Sequence, residues 1–165
     1  MSDEANRGGI GPIVGSLIVG LFLTIVPMPG WAQDYRPQWI ALVLVFWALS
    51  VPRRVGVFWG FGTGIVLDVI SGSVLGQHAL SLSVVCFLAI ELHRRILPFP
   101  PWQQALSVWL LLLVERLLSL WILGATGQPT PSLIYWVPTF VGMLLWPWLF
   151  LLMRGVRERF GIVGQ

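Results

Sequence analysis

Long apolar runs separated by short polar stretches form the main pattern of the chain. Six such runs can be drawn, with approximate limits at residues 10–29, 39–51, 55–70, 75–92, 102–123 and 133–153. About 20 consecutive apolar residues match the hydrocarbon thickness of a bilayer. Because a helix satisfies its backbone hydrogen bonds internally, helices are the structures that such runs form in lipid. The pattern predicts an all-α integral membrane protein with six transmembrane helices in a single domain, residues 1–165.

The second run is shorter than the others and leaves two arrangements open. It follows Pro37, a residue suited to the first turn of a helix. Such a helix could span with local thinning of the bilayer, or it could form a tight hairpin with the third run. Joining the two runs into one span would place Arg53 and Arg54 at membrane depth, which is costly. The prediction therefore stays at six spans.

Composition agrees with a membrane protein and excludes an ordinary soluble domain. The 165 residues are 56% hydrophobic and 10% charged, whereas soluble domains are about 25% charged. The net charge of +3 would suggest nucleic acid as the partner of a soluble protein. Here the arginines stand in short loops between apolar runs, where membrane topology explains them better. We therefore expect membrane lipids, and no nucleic acid, as partners.

The arginines also predict the orientation of the chain. With the N-terminus inside, eight of the ten basic residues fall in inner segments: Arg7, Arg53, Arg54, Arg94, Arg95, Arg154, Arg157 and Arg159. The outer loops hold only Arg36, and Arg116 lies within the fifth run. Positive charge accumulates on the cytoplasmic side of membrane proteins. The pattern predicts that both termini are cytoplasmic.

The third run carries glycines at a spacing of four. Gly56, Gly60 and Gly64 are followed at the same spacing by Asp68. Residues four apart share one face of a helix, and glycines on that face let another backbone approach closely. This face has two interpretations: packing within the chain, or a docking face for the helix of a partner.

Three ionisable residues lie deep in the apolar runs, where they should face the protein interior and pair. Asp68 and Arg116 each lie about 20 Å along their helices from the inner side, at 1.5 Å per residue. We therefore predict a pair between them, which would act either as a clasp between helices or as part of a proton or ion relay. Glu115 points elsewhere on its helix, and its candidate partners are His78 and Gln77.

The C-terminal run ends in a distinctive segment. Trp146, Pro147 and Trp148 precede three arginines. A proline frees a backbone carbonyl and kinks a spanning helix, and we expect both tryptophans near the inner boundary of the bilayer. The segment is either an ordinary stop-transfer end or a contact for a cytoplasmic partner.

No arrangement of residues predicts catalysis. Two histidines, His78 and His93, without a Cys/His cluster do not make a metal site. We also find no nucleophile–base arrangement and no phosphate-binding loop. We expect no enzymatic activity, metal or cofactor. Two functional classes stay open: a scaffold that binds partner helices, and a carrier of a small molecule or lipid. The carrier would enclose a polar pocket among Asp68, His78, Glu115 and Arg116, reachable from outside.

Five stretches, in order along the chain, carry a resemblance to a known family. They are residues 36–39 (RPQW), 47–55 (WALSVPRRV), 64–76 (GIVLDVISGSVLG), 102–106 (WQQAL) and 145–154 (LWPWLFLLMR). The chain resembles the rod shape-determining protein MreD family of Gram-negative bacteria. The Leu-Asp and Gly-x-x-Leu-Gly pattern of that family falls on Leu67, Asp68 and residues 72–76, so the resemblance implies structurally required positions there, with Gly72, Leu75 and Gly76 among them.

The resemblance also implies partners, a location and a fold. It implies a non-enzymatic member of the cell-elongation machinery in the bacterial inner membrane, in a hetero-oligomer that helps to organise lateral peptidoglycan synthesis and rod shape. The direct partner would be the bitopic protein MreC. MreB, RodZ, RodA and a penicillin-binding transpeptidase would belong to the same complex. The fold would be similar to the six-helix substrate-binding subunits (S-components) of energy-coupling-factor transporters.

Overall fold

The protein, described here by a computed structural model, is helical throughout its described part. The backbone is described for residues 2–162 and the side chains for residues 9–162. Within these limits no β-strand occurs. The helices are α1 (Ser2–Ile25), α2 (Gly30–Gln33), α3 (Trp39–Ser50), α4 (Val57–Ser71), α5 (Gln77–Ile96), α6 (Pro101–Ala125) and α7 (Val137–Arg159), with a 3-10 helix at Leu133–Trp136. Each of the six apolar runs overlaps one of the longer helices.

Helix α3 stands at the centre of the bundle. Every residue from Ile40 to Ser50 is buried, because a helix that is apolar on all sides is stable only when surrounded. It packs mainly against α5 and α1, and also touches α6 and α7. Its contact with α4 is slight, so the tight hairpin with the next helix does not form. A helix enclosed in this way can be short because its length need not match the lipid.

The closest packing in the molecule joins α4 to α5, and two glycines make it possible. A Cβ atom added to Gly60 would lie 2.7 Å from the backbone oxygen of Leu82, and one added to Gly64 would lie 2.5 Å from the backbone nitrogen of Ala79. The face of Gly60 and Gly64 is therefore occupied by α5, which leaves no room there for the helix of a partner. Gly56, at the start of α4, has no atom within 4 Å of an added Cβ.

The two tryptophans in the middle of α7 face in opposite directions. Trp146 is fully buried, and its indole N–H donates to the Oε1 atom of Gln104 at 3.2 Å. A buried partner therefore satisfies the N–H that would otherwise seek the headgroups, and the predicted depth of Trp146 near the inner boundary stays a prediction. Trp148 is 74% exposed. The helix continues through Pro147 to Arg159.

Large apolar side chains cover much of the outer surface, as expected for contact with lipid. Phe58 and Leu133, for example, are 89% and 88% exposed. Two helical segments in the described part are long and apolar enough to cross a membrane, Pro101–Ala125 and Leu133–Arg159. Crossing by all six longer helices stays a prediction.

Candidate functional site

Asp68 lies in a closed polar cluster at the turn between α4 and α5. The residue is 1% exposed, and its carboxylate accepts hydrogen bonds from the Ser73 hydroxyl at 2.8 Å and the His78 Nδ1 atom at 2.7 Å. It also accepts from the backbone N–H groups of Gly76, His78 and Ala79. The first N–H groups of a helix have no partner within the helix. Asp68 therefore caps α5 from the end of α4 and fastens the two helices together.

Two glycines shape the turn that makes this cap possible. Gly72 ends α4 with a φ of 64°, and Gly76 precedes α5 with a φ of 99°. Both lie in the left-handed region, which other residues rarely adopt. Leu75 between them is 69% exposed. The turn brings the N-terminus of α5 onto the carboxylate of Asp68.

The predicted pair between Asp68 and Arg116 is wrong. Asp68 is occupied by donors of its own turn, whereas Arg116 lies beside Glu115 and Tyr135. Helix α5 packs against both α4 and α6, so it stands between the two residues. The rise along a helix estimates depth, but the direction of a side chain around the helix axis decides which residues meet.

An open cavity of about 380 Å³ with a mixed polar and apolar lining lies at the same end of the bundle. Its lining includes the end of α1, the segment before α3, the start of α5, the middle of α6 and the segment leading into α7. Charged and polar lining residues are Thr24, Gln33, Asp34, Arg36, Gln38, Ser71, His78, Glu115, Arg116 and Tyr135, beside the indole of Trp39. Apolar lining residues are Pro37, Ile40, Ala41, Leu67, Leu82, Pro131, Ile134 and Pro138. This combination suits a binding site.

Glu115 holds one wall of the cavity in place. It is 4% exposed and accepts hydrogen bonds from the Gln38 side-chain amide and from the hydroxyls of Ser81 and Ser119, the last two at 3.4 and 3.2 Å. The partners predicted for it, on α5 at positions 77 and 78, are wrong by one helical turn, because Ser81 faces α6 instead. The contact with Gln38 joins α6 to the segment that precedes α3.

Arg116 is only partly satisfied by its neighbours. Its guanidinium lies 4.5 Å from the centre of the Tyr135 ring, a cation–π contact. Its Nε atom is 3.9 Å from a carboxylate oxygen of Glu115, too far for a hydrogen bond. Arg36, on the opposite side of the cavity, donates to the backbone carbonyls of Thr24 and Val26 near the end of α1.

Four buried polar atoms of the cavity residues have no hydrogen-bond partner among the described residues. They are the Nε atoms of Arg36 and Arg116, the Nε1 atom of Trp39 and the Oε1 atom of Gln38. Native proteins rarely leave such groups unpaired, so each calls for an explanation. Three of the four are donors. A bound molecule that presents mainly hydrogen-bond acceptors would satisfy them.

His78 connects the closed cluster with the cavity. Its Nδ1 atom is bonded to Asp68, while its ring is 24% exposed and lines the cavity. The Asp68 bond fixes the ring, so that Nε2 is the nitrogen available to a bound molecule.

The structure brings together only part of the predicted site. Asp68, Gly72 and Gly76 belong to the closed cluster, and Arg116 lines the cavity, but Trp146 and Trp148 lie in the middle of α7, outside the cavity lining. Gln38, Trp39 and Tyr135 also line the cavity and were not predicted from the sequence. One available signal was Arg36, the single arginine in an outer loop.

The fold and the cavity define the class: an all-helical membrane protein with an open, partly polar cavity at one end of its bundle. No group of three or more metal-ligating side chains occurs among the residues described. Residues 10–156 match a family described as MreD, rod shape-determining protein MreD. The chain is 33% identical over 150 residues to a rod shape-determining protein MreD of Haemophilus influenzae, covering 89% of this chain and 91% of that relative. The chain belongs to the MreD family.

No solved structure matches the chain. The likeness to the S-components of energy-coupling-factor transporters stays a prediction.

Proposed function

We propose that this chain is a non-enzymatic scaffold of the bacterial rod complex, and that it binds MreC through the open cavity. Its membership of the MreD family supports a role in rod shape. In the proposal, binding of MreC helps to organise lateral peptidoglycan synthesis by a hetero-oligomer that also contains MreB, RodZ, RodA and a penicillin-binding transpeptidase.

The proposed topology places the cavity on the outer side of the inner membrane. The six longer helices all cross, and both termini are cytoplasmic, as the arginine distribution favours. Arg53 and Arg54 then lie inside, while Arg36 and the 126–132 loop lie outside. The cavity includes Arg36 and Pro131, so its mouth faces the periplasm in this orientation.

The observation that carries the proposal is the set of four unpartnered atoms around the cavity. A polypeptide segment offers backbone carbonyls to the donors of Arg36, Trp39 and Arg116, and a backbone N–H to Gln38. Apolar lining residues such as Ile134 and Leu82 can receive its side chains. A bitopic partner continues outside the membrane, so the part of MreC next to its transmembrane helix would reach this side.

A second candidate function is a carrier that binds a small molecule or lipid in the same cavity. Its volume of about 380 Å³ falls within the range of small-molecule sites, about 300–1,000 Å³. The two candidates differ in the chemistry of the occupant. A scaffold retains a partner chain during purification, whereas a carrier retains a small molecule.

The proposal is tested by co-purifying MreC from native membranes with variants of this chain. Arg116→Gln and Trp39→Phe each remove one unpartnered donor, and each should weaken retention of MreC by about tenfold, the equivalent of about 1.4 kcal/mol. Matched controls are Arg159→Gln and Trp121→Phe, which make the same changes at exposed residues outside the cavity lining. The controls should retain MreC as the unmutated chain does.

The results separate the candidates. Failure of MreC to co-purify with the unmutated chain would make the proposal wrong in this form. Retention by both cavity variants would place the MreC contact on another surface, with the exposed face of Trp148 the next to test. A small molecule released from the purified, denatured chain and lost from both cavity variants would support the carrier.

A further inference from the structure

An apolar groove runs between α1 and α4 on the outer surface of the bundle. Its volume is about 370 Å³. One wall is formed by Leu17, Ile18 and Leu21 of α1, and the other by Phe58 and Val66 of α4. The two helices touch only slightly, so the space between them is open to whatever surrounds the protein.

The floor of the groove is low because Gly62 lies in its middle. A Cβ atom added to Gly62 would have no atom within 4 Å, so a side chain there would project into open space. From Phe58 to Val66 the groove extends about 12 Å, at 1.5 Å per residue. That is less than half of the hydrocarbon core, which is about 30 Å thick. The groove therefore has the length of an acyl chain segment within a single leaflet.

Two arginines stand at one end of the groove. Arg53 and Arg54 are exposed in the turn before α4, and Arg54 comes four residues before Phe58. The guanidinium of Arg54 lies against Gly9 of α1, so its charge extends from the α3–α4 turn across to the helix that forms the opposite wall. Positive charge thus meets the apolar groove where an acyl chain would continue into a headgroup.

We propose that this groove binds an anionic glycerophospholipid, with one acyl chain between α1 and α4 and its phosphate at Arg53 and Arg54. Basic pockets between transmembrane helices on the cytoplasmic side suit anionic headgroups. The groove is lined mainly by apolar side chains and ends at two positive charges, which matches one acyl chain joined to an anionic headgroup.

The test is native mass spectrometry of the full-length chain in detergent, with added phosphatidylglycerol or phosphatidylcholine of identical acyl chains. We expect phosphatidylglycerol to bind at least about tenfold more tightly. Gly62→Leu should fill the groove and weaken both lipids by about tenfold without a clash. Arg53→Gln with Arg54→Gln should remove the preference for phosphatidylglycerol but leave the binding of phosphatidylcholine unchanged.

Two matched controls make the result specific to the groove. Gly15→Leu adds the same side chain to α1 at a position that also has no atom within 4 Å of an added Cβ, but Gly15 does not line the groove. Arg94→Gln with Arg95→Gln removes two exposed arginines at the far end of α5. Neither control should change lipid binding.

Several outcomes would overturn the proposal. Equal binding of the two lipids to the unmutated chain would exclude a site that is selective for anionic headgroups. Unchanged lipid binding by the Gly62→Leu variant would mean that the lipid binds at another site. A disulfide or cross-link from Gly62→Cys to a second copy, or to MreC, in native membranes would make the groove a helix contact. None of these results depends on retention of MreC through the cavity, so failure here is distinguishable from failure of the proposed function.

Discussion

The contact between α4 and α5 and the cavity beside α6 both contain ionisable residues in apolar helices, yet they are built in opposite ways. At the contact, Asp68 is 1% exposed and accepts from five donors. At the cavity, Arg116 is 21% exposed at its side chain, and its Nε atom has no hydrogen-bond partner among the described residues. A charged group whose hydrogen bonds are all satisfied within the chain stabilises the fold, whereas one with an unpaired donor is available for binding.

Asp68→Ala should lower the stability of the fold more than any other change in this comparison. It leaves three backbone N–H groups, the Ser73 hydroxyl and His78 without their acceptor. Breaking a buried charged interaction costs about 3–5 kcal/mol, so we expect little folded protein, measured by thermal unfolding in detergent. Asp34→Ala is the control, because Asp34 is exposed and its loss should change stability by no more than about 0.5 kcal/mol.

Double variants that include Asp68→Ala test which residue interacts with Asp68. Asp68→Ala and His78→Ala should be non-additive, by about 0.5–3 kcal/mol, because the residues touch. Asp68→Ala and Arg116→Gln should be additive. Coupling between Asp68 and Arg116 would contradict the separation of the two regions.

Gly64→Leu should cause the second largest loss of stability. The new side chain would meet the backbone of Ala79, which cannot move aside, and we expect a loss of about 3 kcal/mol, the upper end for overpacking. Gly15→Leu is the matched control on α1, where an added Cβ has no atom within 4 Å. Folded yield after size-exclusion chromatography measures both. A well-folded Gly64→Leu variant would show that the contact between α4 and α5 is loose.

Arg116→Gln should have the smallest effect on stability. The change removes one cation–π contact, worth about 0.5–1 kcal/mol, and Glu115 keeps its bonds to Gln38, Ser81 and Ser119. We expect the thermal unfolding midpoint to fall by only a few degrees. A loss as large as that of Asp68→Ala would mean that the cavity wall is part of the structural core.

The sequence was informative where one-dimensional patterns decide structure. Apolar runs predict helices, and the spacing of Gly60 and Gly64 predicts a close helix contact, although not which helix fills it. The importance of Asp68 was predicted from its cost in lipid, but its partners were not. The partners of Asp68 depend on how Gly72 and Gly76 turn the chain. Depth along a helix does not give the direction of that turn.

The cavity was predicted least well because its residues meet only after folding. Gln38 and Trp39 stand at the start of α3, Glu115 lies within α6, and no spacing along the chain relates them. Trp146 shows the same difficulty. Its sequence position fits a lipid-facing side chain and a buried one equally well. Only the presence of Gln104 on a neighbouring helix decides that it is buried.

The enclosure of α3 has a consequence for how the chain enters a membrane. A helix from Trp39 to Ser50 is about 18 Å long at 1.5 Å per residue, well short of the roughly 30 Å that a bilayer presents to a lone segment. Once surrounded by its neighbours, it meets protein on every side. Its place in the finished molecule therefore depends on when the surrounding helices gather around it during biosynthesis, and very little on the thickness of the host membrane.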